Sequence, residues 1–318
     1  MALRCAILDD YQNVALTLAD WTPLRGALDV TVFNAPLADS AAAIAALEGF
    51  DIVCAMRERT AFSRAVLSAL PGLKLLITSG LRNAAIDLDA ARERGVVVCG
   101  TGSVGNPTAG LTIGLMLELT RRIGFENARM KAGESWQVTV GEDLEGKTLG
   151  IVGLGRLGQK VAAVAKALGM DVKAWSTNLA PETCEAAGVA YATREDLFAT
   201  ADVISIHLVL SERSRGLIGR ADLARMKPSS YLVNTARGPI VDEAALLEAL
   251  RERRIAGAGL DTFALEPLPR DHPLRTLDNV VLTPHLGYVT AENYRRFYGD
   301  MVDDIAAWLK GEPVRRIA

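Results

Sequence analysis

The sequence predicts an α/β protein made of two doubly wound parallel-sheet domains, one inserted into the other. Three observations carry this. Residues 1–100 alternate short apolar runs with alanine-rich helical stretches, a second alternating series runs from 147 to 283, and an amphipathic segment follows from Ala291 to Gly311. Strands that alternate with helices argue for parallel sheets covered on both faces. The expected division is 1–102 with 291–318 for the outer domain, and 103–290 for the inserted one.

In the first series the strand candidates are Leu3–Leu8, Val30–Phe33, Asp51–Ala55, Leu73–Thr78 and Val96–Cys99. Helices are expected near Asn13–Ala19, Asp39–Leu47, Ser63–Leu70 and Asp87–Arg94. Asp39 and Ser63 suit N-caps, and Gly49, Gly72 and Gly95 fall where helices would stop. The glycine-rich stretch from Gly100 to Pro107 reads as a crossover between domains, followed by one long helix from about Thr108 to Lys131. The second series places strands near 148–152, 171–175, 202–206, 231–234, 256–260 and 280–283. The last segment ends at Gly311 with Pro313 beyond it, the signature of a helix stop, and this helix would complete the first domain.

Composition narrows the function. The chain has 318 residues, half of them hydrophobic, with a net charge of −3. That balance gives no electrostatic footprint for nucleic acid or an anionic membrane. The most apolar stretch, Leu111 to Leu119, is broken by Glu118 and followed by Arg121 and Arg122, too short to span a bilayer. The four cysteines, at 5, 54, 99 and 184, lack any metal-ligand or redox spacing, so no metal is expected. With no basic start or targeting core near the N-terminus, the expectation is a cytoplasmic enzyme.

The second alternating series opens on Lys147-Thr148-Leu149-Gly150-Ile151-Val152-Gly153-Leu154-Gly155-Arg156-Leu157-Gly158. A strand here runs into glycines spaced for a dinucleotide: Gly153 for the turn, Gly155 for close approach of backbone to pyrophosphate, Gly158 for helix–strand packing. The helix that follows would aim its free N–H groups and positive dipole end at the phosphates. About 20 residues on, an acid normally receives the ribose 2′-hydroxyl of NAD, and a nearby arginine favours the 2′-phosphate of NADP. The strand here ends Trp175-Ser176-Thr177-Asn178, with Ser176 in the acid's place. No carboxylate repels a 2′-phosphate and no arginine attracts it. The cofactor is therefore NAD(H) or NADP(H), with the lean to NADP(H) because the repelling group is absent.

Three more stretches complete the pattern: Leu232-Val233-Asn234-Thr235-Ala236-Arg237-Gly238, Gly259-Leu260-Asp261-Thr262-Phe263-Ala264-Leu265-Glu266-Pro267 and Leu282-Thr283-Pro284-His285-Leu286-Gly287-Tyr288. With the glycine fingerprint, the region His207–Gly219 and the approach Ser79-Gly80-Leu81-Arg82-Asn83, the chain resembles the D-2-hydroxyacid dehydrogenases. That family includes phosphoglycerate dehydrogenase and glyoxylate/hydroxypyruvate reductases. The resemblance runs over nearly the whole chain. It implies a Rossmann domain inserted into a flavodoxin-like substrate domain, with chemistry in a cleft between them and a homodimer formed through the dinucleotide domain.

Hydride transfer to a 2-keto acid needs a cation for the carboxylate and carbonyl, and an acid for the developing alkoxide. The family's catalytic arginine, glutamate and histidine fall on Arg237, Glu266 and His285. Arg237 supplies a permanently charged planar fork, His285 the proton, and Glu266 orients the imidazole. The resemblance also puts Arg156, Leu157, Ser176, Thr177, His207, Thr235 and Asp261 at the cofactor, Asp261 near the nicotinamide carboxamide. The alternative for Asp261 is a helix cap or a loop-ordering acid. Ser79, Gly80 and Leu81 would cradle the substrate carboxylate; Arg57 would reach the cleft or remain a surface arginine; Tyr288 and Trp136 would wall the pocket, pack, or, for Trp136, join a dimer arm. Gly110 stands where the family usually has glutamate.

These features point to reduction of a small 2-keto acid, glyoxylate or hydroxypyruvate first. Phosphoglycerate is the rival substrate and would require Arg57, Arg59 or Arg82 to face the cleft together. A non-catalytic, nicotinamide-sensing corepressor of this fold, and a formate-type dehydrogenase, are further alternatives. The Arg–Glu–His set speaks against the corepressor, and glutamate rather than glutamine at 266 against formate.

Overall fold

The computed structural model describes residues 2–134 and 136–318. It consists of two compact units, residues 2–105 with 289–318, and residues 106–288. Each is an α/β layer structure around a wholly parallel sheet.

In unit 1 the strands are β1 (Leu3–Ile7), β2 (Leu28–Val32), β3 (Ile52–Ala55), β4 (Leu75–Thr78) and β5 (Val97–Gly100). They line up in the order β2-β1-β3-β4-β5. Every residue of β3 and β4 is buried, as expected for central strands covered on both faces. The helices are α1 (Ala15–Leu18), α2 (Ser40–Leu47), α3 (Arg64–Ala69) and α4 (Leu88–Glu93). Asp39, Ser63 and Asp87 cap the last three, their side-chain oxygens accepting from the N–H groups of Ala42, Val66 and Ala90.

Unit 2 begins with α5 (Pro107–Arg121) and α6 (Ile123–Lys131). Its strands are β6 (Thr148–Val152), β7 (Asp171–Trp175), β8 (Ala190–Tyr191), β9 (Val203–Ile206), β10 (Tyr231–Asn234), β11 (Gly257–Leu260) and β12 (Val280–Leu282). Between them lie α7 (Arg156–Ala167), α8 (Pro181–Ala186), α9 (Arg194–Thr200), α10 (Arg220–Leu223) and α11 (Glu243–Arg251). The order β12-β11-β10-β9-β6-β7-β8 reverses direction at β6, whose neighbours are β7 and β9. In such sheets the crevice for a ligand opens at the carboxyl ends of the strands at that switch.

The chain then returns to unit 1 through α12 (Ala291–Leu309), capped by Thr290. This helix buries Tyr294, Phe297, Tyr298, Met301 and Ile305. Residues 315–318 run antiparallel to β5: the Gly100 N–H donates to the Arg315 carbonyl, and the Ile317 N–H to the Val98 carbonyl.

The single helix expected over 108–131 is corrected to two. Arg122 adopts a left-handed conformation, φ 49° and ψ 42°, between α5 and α6. The break is stabilised from within: the Glu118 carboxylate accepts the Gly124 N–H at 3.0 and 2.8 Å and so caps α6. The two-residue strand β8 was not expected either. At Gly110 a side chain would meet open space, so packing does not require glycine there.

Among the described residues no helix is long and apolar enough to cross a membrane, and no group of three or more His, Cys, Asp or Glu could hold a metal. All four cysteines are buried free thiols.

Asp304 on α12 is fully buried, with Arg315 Nε 3.0 Å from one oxygen. Burial pushes its carboxyl up to about 7, with Arg315 opposing and Asp300 and Asp303 adding to the rise. Cys54 on β3 and Cys99 on β5 also feel its charge. A carboxyl whose folded-state value lies above its unfolded value contributes stability that is complete below the unfolded value and lost as pH rises through the folded one. Between pH 4 and 8 the protein should therefore lose on the order of 3 kcal/mol through this group. Urea unfolding of Asp304→Asn should show that decline removed; the same pH dependence in both proteins refutes the assignment.

Candidate active site

In unit 2 the carboxyl ends of β10, β11 and β12 lie side by side, because β10 pairs with β11 and β11 with β12 in parallel register. Arg237 follows the first, Glu266 the second and His285 the third. The loops also touch: a Cβ placed on Gly238 would lie 2.1 Å from the carbonyl carbon of Phe263, so only glycine lets the Arg237 loop rest on the Glu266 loop.

His285 Nδ1 lies 2.6 Å from Glu266 Oε2, and the Phe263 N–H donates to Oε1 of the same carboxylate at 3.0 Å. Both ends of Glu266 are thus held, and it holds the imidazole in turn. The ring of Tyr288 meets the His285 ring edge-on, with centroids 5.7 Å apart. His285 itself has φ 56°, a left-handed backbone that a histidine adopts only where its surroundings enforce it.

Asp261 supplies that enforcement. Its buried carboxylate accepts from the Thr283 hydroxyl at 2.6 Å, the Leu286 N–H at 2.7 Å and the Gly287 N–H at 2.9 Å, bracketing His285 on both sides. These three bonds order the loop around His285. Burial raises its carboxyl, against those three hydrogen bonds and the His285 charge.

Arg237 is half-buried, and its Nη1 donates to the Ala236 carbonyl at 2.8 Å. Asn234 closes the turn, donating to the Arg237 carbonyl at 3.0 Å and accepting from the Ala236 N–H at 3.0 Å. That clamp escaped the sequence reading; an asparagine at a strand end was its only signal. Thr235 is buried, its hydroxyl 2.8 Å from that of Thr112.

The glycine turn fits a dinucleotide. Gly153 has φ 102°, and a Cβ there would stand 2.9 Å from the His207 carbonyl. A Cβ on Gly158 would come 2.2 Å from the Gly153 carbonyl, so strand and helix pack on bare backbone. At Gly155, the N-cap of α7, a Cβ would meet nothing, and no side chain caps the helix. The first N–H groups of α7, those of Arg156, Leu157 and Gly158, thus have no side-chain cap, the arrangement that receives a phosphate. His207 lies beside this turn with Nε2 2.9 Å from the Ser205 hydroxyl and a buried Nδ1 that has no protein partner. Burial pushes the ring down to about 4, so it is neutral at physiological pH. Ser176 is half-buried and Thr177 exposed at the end of β7, with no carboxylate at either position.

In unit 1, Arg57, Ser79 and Gly80 form one cluster. The Arg57 N–H donates to the Ser79 hydroxyl at 2.9 Å and its Nη1 to the Ser79 carbonyl at 3.2 Å. Arg57 has φ 52° and Gly80 φ 89°. The Ser79 N–H is engaged by Ala55 and the Gly80 N–H by Thr101, so of the three backbone donors expected to cradle an anion, Leu81 retains its own. Leu81 is also 57% exposed.

Comparison with known proteins agrees with this geometry. A family model described as D-isomer specific 2-hydroxyacid dehydrogenase, NAD binding domain, matches residues 113–287. A D-3-phosphoglycerate dehydrogenase of Methanocaldococcus jannaschii is 39% identical over 264 residues, 82% of this chain and 50% of that one. The chain thus spans about half the length of that relative. A glyoxylate reductase of Aeropyrum pernix is 38% identical over 256 residues, 78% of this chain and 76% of its own. Among solved structures, a phosphoglycerate oxidoreductase of Vibrio cholerae superposes with a TM-score of 0.91 at 34% identity, covering 97% of this chain and 99% of that one.

Proposed function

Because the chain belongs to the D-isomer specific 2-hydroxyacid dehydrogenase family, we propose that it reduces a small 2-keto acid, glyoxylate or hydroxypyruvate, with a nicotinamide cofactor. The observation that carries this reading is the 2.6 Å pair of His285 and Glu266, set one strand away from the Arg237 loop.

The bound nicotinamide supplies the hydride; the chain supplies charge, proton and orientation. Glu266 accepts from Nδ1, which fixes the ring and leaves Nε2 as the nitrogen that delivers a proton to the developing alkoxide. The negative carboxylate also stabilises the imidazolium until that transfer. Arg237 holds the substrate carboxylate and draws electron density toward the carbonyl oxygen. The Leu81 N–H and the Arg57 guanidinium provide anion-binding groups on unit 1.

The cofactor assignment inclines to NADP(H), supported by the hydroxyl side chains of Ser176 and Thr177 where a carboxylate would repel the 2′-phosphate. Loss of reduced-nicotinamide absorbance against glyoxylate, hydroxypyruvate, pyruvate and phenylpyruvate tests both parts. NADPH should bind at least as tightly as NADH; tenfold tighter NADH reverses the choice. Turnover should fall by about 10²-fold or more in Arg237→Ala. No turnover with any pairing, despite cofactor binding, turns the reading toward a nicotinamide-sensing protein.

Phosphoglycerate oxidation is the second reading. It is supported by Arg57 and Arg59, both half-buried in the one loop after β3, whereas Arg82 is exposed. Faster turnover of 3-phosphoglycerate than of any unphosphorylated 2-hydroxy acid would put it first.

The homodimer is assigned to unit 2. None of the residues of α6 is buried, and Ile123, Phe125, Met130, Trp136, Val138 and Val140 leave an apolar run exposed. Sedimentation at the 34.0 kDa of one chain would exclude it.

A further inference from the structure

We propose that two threonines of α5 set the spacing of the site: Thr112 holds the Arg237 loop through Thr235, and Thr108 holds the His285 loop through Gly287. The inference rests on the reading that Arg237 and His285 carry the chemistry, and it adds the positioning residues that bring the two together.

Within unit 2, α5 packs against β10, β11 and β12, the three strands whose carboxyl ends carry the site. It comes close because β11 is bare where they meet: a Cβ on Gly259 would stand 3.2 Å from both Leu115 Cβ and Leu119 Cδ1. The buried face of the helix is otherwise apolar, with Ala109, Ile113, Leu115, Met116 and Leu119. Thr112 is fully buried on that face. A hydroxyl in such a place is tolerated where its hydrogen bonds are made.

Those bonds form a directed chain. Thr112 has one hydroxyl proton, which it donates to the Thr108 carbonyl one turn back at 2.8 Å. The 2.8 Å contact between the Thr112 and Thr235 hydroxyls therefore takes its proton from Thr235. Thr235 is buried in the turn that Asn234 closes around Arg237. On the other side, the Thr108 hydroxyl donates at 2.8 Å to the carbonyl of Gly287, in the His285 loop. Glycine makes room for this contact, since a Cβ at 287 would lie 3.0 Å from Thr108 Cγ2 and 3.1 Å from the Asp261 carboxylate.

The two threonines stand one helical turn apart, about 6 Å, on a rod of fixed rise. Asn234 and Asp261 brace each loop from within, whereas α5 ties one loop to the other. A guanidinium and an imidazole that must meet one substrate need such a tie, because a misplacement of about 1 Å costs up to 10²-fold in rate.

Steady-state rates with NADPH and NADH on glyoxylate and hydroxypyruvate test this in wild type and four variants. Valine keeps the branched shape of threonine and removes the hydroxyl. Thr112→Val should lower kcat/KM about tenfold through a raised KM, because Arg237 holds the substrate carboxylate. Thr108→Val should lower kcat about tenfold with KM little changed, because proton delivery from His285 suffers. Thr112→Ser restores the hydroxyl and should run within about twofold of wild type. Thr120→Val is the control. Thr120 is buried near the far end of the same helix, its hydroxyl donating to the Met116 carbonyl at 2.9 Å. Its valine variant should lose melting temperature as Thr112→Val does and keep wild-type rates. Wild-type rates in Thr112→Val or Thr108→Val, or losses matched by Thr120→Val, overturn the proposal, while an inactive Arg237→Ala leaves the reductase reading intact. Full turnover in Arg237→Ala, or a wild type that reduces neither acid, overturns both.

Discussion

Replacing His285 with asparagine should lower kcat by about 10³-fold while the affinity for reduced nicotinamide stays at its wild-type value. Asparagine is the informative substitution because position 285 has φ 56°, which asparagine accepts more readily than alanine. The Asp261 bonds to Leu286 and Gly287 involve backbone N–H groups and survive the change. What is lost is the proton donor and its 2.6 Å contact with Glu266. Glu266→Gln should fall between, since the amide can still orient the ring but no longer balances its charge. A His285→Asn enzyme with more than a tenth of wild-type turnover would remove His285 from the chemistry.

The second large effect is expected at Gly158. A Cβ there would approach the Gly153 carbonyl to 2.2 Å, and neither partner is a flexible side-chain end. In Gly158→Ala, β6 and α7 must separate, with a stability loss on the order of 1–3 kcal/mol and cofactor affinity reduced about 100-fold as the turn moves. Gly155→Ala is the contrast. Its Cβ meets open space at an ordinary φ of −78°, so the melting temperature should hold while cofactor affinity falls, because that space is where a phosphate would approach. Equal melting temperatures in Gly158→Ala and wild type would show that the packing argument is mistaken.

These residues show what the sequence makes legible. Apolar runs such as Thr148–Val152 and Tyr231–Asn234 state their strands because each is short, bounded by turn formers and too apolar for a surface. Asp39 and Ser63 state helix starts because capping is local chemistry. The break at Arg122 was not legible: Arg121-Arg122-Ile123-Gly124 contains no proline, and the cap comes from Glu118 across the bend. In the site, the motifs single out Arg237, Glu266 and His285, and the structure sets their loops at three neighbouring strand ends. The supports were not legible. Asn234 closing its turn, Asp261 bracketing the histidine loop and Tyr288 against the imidazole depend on three strand ends meeting in space.

The return of the chain through α12 to the edge of β5 has a consequence for biosynthesis. Residues 2–105 leave the ribosome without the helix that carries Phe297 and Tyr298 and without the segment that hydrogen-bonds Val98 and Gly100. Residues 106–288 must be translated first, which takes roughly ten to forty seconds at about 5–20 residues per second. Unit 2 is continuous and can close as soon as it emerges, so the later-made half of the protein matures earlier. During that interval the nascent β5 edge is open to chaperones or to mispairing with a neighbouring chain. Stalled nascent chains ending near residue 288 should accordingly be protease-sensitive over 2–105 and resistant beyond.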